Sequence, residues 1–256
     1  MFERYQARLS ARAAGMLLSL EGRLNRLMLG WLLIAGLACA ARIATSPIRA
    51  PLDAGLIAPY VLLILAPIAS MGLALRWFAD GDKLPQPQTR LARIGRWRSI
   101  GADEAKGHAL YGAGGIMVSL LIGMLLNVPV RAMEYLAAMP ALSGRVPAWL
   151  SILHAFMTAD VVIFTSLYTI AFVAALRRVP LFPRLLAAIW VADITMQLVT
   201  AQVVASSPGL PVKVAGAVHV LLDGNVQKTL ISVALWLPYL LLSRRVNVTY
   251  RHRVSG

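Results

Sequence analysis

The chain has 256 residues, of which 59% are apolar and only 14% charged, with a formal net charge of +14. A soluble domain is about half apolar and about one quarter charged, so this composition suits lipid and excludes an ordinary water-soluble globule. The positive charge sits between apolar runs and not in one basic domain, which argues against nucleic acid as a partner, and the single cysteine, Cys39, excludes an internal disulfide.

Residues 1–26 read as an amphipathic cytoplasmic helix. Arg4, Arg8, Arg12, Arg23 and Arg26 fall on one arc, with Phe2, Leu9, Ala13, Leu20 and Leu24 on another. Such a helix lies in the membrane plane, its arginines on anionic lipid headgroups. Six apolar runs follow, at 27–45, 54–75, 109–130, 150–176, 185–204 and 225–242. Each is close to the ~20 residues that cross a bilayer as helix, and lipid tolerates no open strand. The predicted fold class is therefore an all-α membrane protein with six transmembrane helices. Residues 27–75 form a hairpin, 76–108 a basic cytoplasmic linker, and 109–256 a four-helix transmembrane domain. The segment 211–227 reads as a separate interfacial helix leading into the last span, with Asp223 or Asn225 as the N-cap of that span.

Basic residues are retained on the cytoplasmic side. With six spans, nineteen of the twenty-five Lys and Arg fall on the side of the two termini. Both ends are therefore expected in the cytoplasm of a bacterial inner membrane. Arg42, Arg131 and Lys228 fall towards the opposite side.

From Gly114 onward the chain resembles a bacterial family, the YdgK-like inner-membrane proteins (domain of unknown function 2569). The resemblance is carried by Gly114 and Gly115, by Pro129 and Arg131, and by the closing run. That run holds Trp236, Pro238 and Tyr239, then Ser243, Arg244, Arg245 and Val246, and ends in Thr249 and Tyr250. It covers about residues 109–253, with Ile116 where an aromatic is common. The family has no assigned activity, so the resemblance implies a four-helix topology and no mechanism. Physical roles exist for the same positions. Pro238 frees a backbone carbonyl and bends its helix. Gly115, Ser119 and Gly123, continued by Asn127, make a seam of small and hydrogen-bonding residues for close helix approach.

Ionisable groups within a span are candidates for function because each is costly there. Asp160 and Asp193 are the clearest, with Gln197 on the face of Asp193 and Tyr168 at its depth; Arg42 and Lys228 lie further out. Counting ~1.5 Å per residue from the cytoplasmic ends puts Asp160 level with Lys228, about 12 Å above Asp193. On that count Asp160 pairs with Lys228. Asp193, with no cation at its depth, is a hydrogen-bonded clip to Tyr168.

No metal or cofactor motif is present, and phosphate-binding, metalloprotease and nucleophile-elbow signatures are missing. The chain reads as a non-enzymatic accessory or scaffold subunit that binds a partner membrane protein or itself. The alternative is a small-solute or proton-coupled transporter that uses Asp193 and Asp160.

Overall fold

The computed structural model describes residues 22–46, 52–89, 94–142 and 146–256. The in-plane helix expected over 1–26 lies almost wholly outside the described residues. The helices are α1 (Leu24–Ala44), α2 (Ala54–Trp77), α3 (Ala102–Gly107), α4 (Met117–Ala138), α5 (Ala148–Leu176), α6 (Phe182–Ala205), α7 (Val212–Leu242) and α8 (Arg244–Arg251). Two short strands, β1 (Trp97–Ser99) and β2 (Arg253–Ser255), pair antiparallel. The fold is all-α and suited to a membrane. Five of these helices are long and apolar enough to cross one, and α7 adds a sixth when counted with α8, from which it is bent by 70°.

Helix starts follow local chemistry. The Asp53 carboxylate accepts from the Leu56 amide at 2.9 Å and caps α2, and Ser243 caps α8 by accepting from Val246. The third span starts later than expected, at Met117 and not near 109. Gly112 and Gly115 adopt φ of +102° and +65°, left-handed values that break the helix and favour glycine. The apolar count ran through this turn, although its backbone is not helical. The shift carries Arg131 from the outer end of the span into the helix. The last span also differs. No separate interfacial helix forms over 211–227, because nothing there interrupts the backbone, and α7 runs unbroken from its cap at Pro211. Asn225 is therefore an interior position and not a cap.

Helix α5 is the central element, packed against α2, α4 and α6. Ala171 to Ala175 are fully buried. Two apolar cores occupy the bundle. One gathers Met117, Leu121, Phe164, Phe172, Leu186 and Leu240 near the α5–α6 turn. The other gathers Tyr60, Tyr135, Leu153, Met157, Val204 and Leu222 near the opposite end. Met71 and Ala74 of α2 belong to the first core and Tyr60 and Leu63 to the second, so the N-terminal hairpin shares its core with the later helices.

The described parts of residues 76–108 are tied down at several points. Lys106 meets Asp82 at 3.2 Å. Gly81 approaches α5 so closely that a Cβ would lie 2.6 Å from the Arg177 carbonyl oxygen. Strand β1 sets Trp97 opposite Ser255 and Ser99 opposite Arg253.

Candidate functional site: a buried charge cluster between two apolar cores

Between the two cores, helices α4, α5, α6 and α7 each contribute polar groups to one layer. Arg131 of α4 is its centre. Its Nη2 donates to both oxygens of Asp193, at 2.7 and 2.9 Å. Its Nη1 lies 3.4 Å from Asp160 Oδ2, and its guanidinium carbon sits 4.8 Å from the centroid of the Phe164 ring. Tyr168 donates to Asp193 at 3.1 Å. Gln197 donates to Asp160 at 2.7 Å, and Asn225 donates to Gln197 at 3.3 Å. The side chains of Arg131, Asp160 and Asp193 are 12%, 8% and 1% exposed, so these charges meet each other and not solvent.

This geometry corrects the expected pairings. Asp160 does not pair with Lys228. That lysine lies further out and meets Glu134 instead, in a pair that is substantially exposed. Asp193 does have a cation at its depth, and one guanidinium links the two aspartates that the residue count had separated. The count assumed that Arg177 and Arg184 lie level and that helices run along the membrane normal. It also set Arg131 outside, through the misplaced start of the third span. The hydrogen bond from Tyr168 to Asp193 is present as expected. Arg42 is apart from the cluster, donating to the Met139 carbonyl at 2.9 Å.

One guanidinium facing two carboxylates leaves one negative charge in excess when all three ionise. Beside it, a crevice of about 60 Å³ opens between α4 and α7, lined by Asn127, Glu134, Asn225 and Lys228 among others. The Asn127 Oδ1 atom is buried there without a partner. Among the described residues no group of His, Cys, Asp and Glu is arranged to hold a metal ion.

The small-residue seam does not behave as one stripe. Gly115 precedes α4, Ser119 and Gly123 face outward, and Asn127 borders the crevice. A Cβ on Gly123 would meet nothing within 4 Å, so no described helix covers that face.

The closing-run residues assemble at the other end. Arg245 donates to the carbonyls of Leu110 and Gly112 at 3.3 and 3.4 Å. A Cβ on Gly114 would press within 3.3 Å of its guanidinium. The Gly112 amide donates to Thr249 Oγ1 at 3.0 Å, and the Tyr250 hydroxyl donates to the Ala175 carbonyl at 2.8 Å. Trp236 and Tyr239 meet edge to face at 5.9 Å, Pro238 lies within α7, and Arg244 is exposed. The sequence reading missed this joining of Gly114 to Arg245; the one available signal was that both stand among the residues that carry the resemblance. No family model, curated protein or solved structure matches the chain.

Proposed function

We propose that the chain is a non-enzymatic accessory subunit of the bacterial inner membrane, a scaffold for a partner membrane protein or a second copy, with both termini cytoplasmic. One observation carries this reading over transport: the charged layer is closed off towards the α5–α6 turn by an apolar core. A carrier must open its carboxylates to each side in turn. Here the route towards the α5–α6 turn is filled by Met117, Leu121, Phe172 and Leu186, all fully buried. Outward-facing Ser119 and Gly123 support the partner reading, because small residues let a second helix approach.

Reconstitution into proteoliposomes tests the choice. Wild type is expected to pass no proton or solute above the lipid background, and protein purified in mild detergent to retain a membrane partner or self-associate. Flux in wild type that disappears in Asp193→Asn would overturn the reading.

The second reading, a proton-coupled or small-solute carrier, draws on the excess negative charge and on the crevice beside Arg131. A proton is the simplest neutraliser of such a site. On that reading Asp160→Asn, which removes the excess charge, abolishes coupling in the same assay while the fold survives.

A further inference from the structure

The end of the bundle that carries α8 and the β-ribbon contains a cavity of about 450 Å³. Three arginines line it: Arg184 in the first turn of α6, Arg251 at the end of α8, and Arg253 in β2. Among the described residues, no Asp or Glu lines it. Arg251 is acted on by the like charges of Arg253 and Arg184. Its own hydrogen bonds go to neutral acceptors, the Leu240 carbonyl at 2.7 Å and Asn247 Oδ1 at 3.2 Å. Arg184 likewise bonds to the side chain and carbonyl of Thr89. Like charges held together in a half-buried pocket repel, and an anion between them offsets that cost. The N-terminus of α6 adds a partial positive charge at the same place.

One wall is apolar, formed by Ala187 and Val191 of α6 and by Leu237 and Leu241 of α7, while Gln86, Ser99 and His252 add neutral polar groups elsewhere. Val191 is 66% exposed, so this groove runs out onto the lipid-facing side of two membrane helices. A soluble anion would use only the arginines. A phosphate carrying an acyl chain would use both walls.

We propose that this cavity binds an anionic phospholipid, with the headgroup phosphate on Arg184 and Arg251 and an acyl chain in the α6–α7 groove. Arginine suits this role because its planar fork matches phosphate oxygens. The site is independent of the charged layer and stands whether the chain is a scaffold or a carrier. Its assignment to the inner leaflet rests on the orientation proposed above.

Native mass spectrometry of the full chain in detergent, offered equal phosphatidylglycerol and phosphatidylcholine, tests the site. Wild type is expected to retain one phosphatidylglycerol with about tenfold preference, the scale of one or two charged hydrogen bonds. Arg184→Gln and Arg251→Gln each reduce that preference, whereas Arg76→Gln, at an exposed position outside the cavity, leaves it intact. Thermal unfolding in phosphatidylcholine checks that the variants are folded, and Arg184→Gln serves where Arg251→Gln is not. Excess inorganic phosphate is expected to leave the lipid bound. Displacement of the lipid by phosphate alone would reassign the cavity to a soluble anion. Equal retention of the two lipids, or an unchanged preference in folded Arg184→Gln, would also overturn the proposal.

Discussion

Arg131 divides its donors between two carboxylates while Phe164 covers one face of its guanidinium. Removing it leaves two buried carboxylates without their cation. Breaking a buried ion pair from one side costs about 3–5 kcal/mol, whereas an exposed pair contributes at most about 1 kcal/mol. Arg131→Ala is therefore expected to lower the unfolding midpoint in detergent far more than Lys228→Ala, which disturbs only the exposed contact with Glu134. Replacing Arg131 and Asp193 together by apolar residues should cost less than replacing Arg131 alone. Equal losses in the arginine and lysine variants would show that Arg131 does not hold the layer together.

Two glycines separate close packing from open surface among the elements. Gly81 lies where a Cβ would come within 2.6 Å of a backbone oxygen and 2.7 Å of Val179. A backbone atom cannot step aside as a flexible side chain does, so Gly81→Ala should destabilise by about 1–3 kcal/mol, the usual cost of overpacking. Gly123 lies mid-helix with open space around it. Gly123→Ala should be neutral or stabilise the isolated chain by up to about 1 kcal/mol through helix propensity. Thermal unfolding of both variants checks the contrast. Gly123→Leu then serves a different purpose: if a partner helix packs on this face, the bulky side chain weakens association without lowering the stability of the chain itself.

For the whole molecule, the β1–β2 pairing requires residues 97–99 and 253–255 to lie on the same side of the membrane. Four long helices, α4 to α7, separate them, which agrees with an even number of crossings. Reporter fusions after Leu75, after Leu176 and at the C-terminus are expected to report the cytoplasm. A periplasmic signal at the C-terminus together with a cytoplasmic one after Leu75 would contradict both the ribbon and the span count.

Composition and run length by themselves determined the fold class and four of the six apolar spans to within a few residues at both ends, because crossing lipid imposes a length and an apolarity that can be counted along the chain. The acidic candidates were legible for the same reason: Asp160 and Asp193 stand out in apolar runs. Their partner was not. Arg131 seemed to end a span because glycine-rich residues 112–115 count as apolar whether or not their backbone is helical, and only φ shows that the helix begins at Met117. Depth counted along separate helices carries no information on tilt or on turn height, so one arginine joining two aspartates was beyond its reach. The three arginines that line the large cavity come from α6, α8 and β2, and no local pattern brings them together. Tertiary packing decided those contacts, since side chains meet according to how helices pack and not according to their separation in the chain.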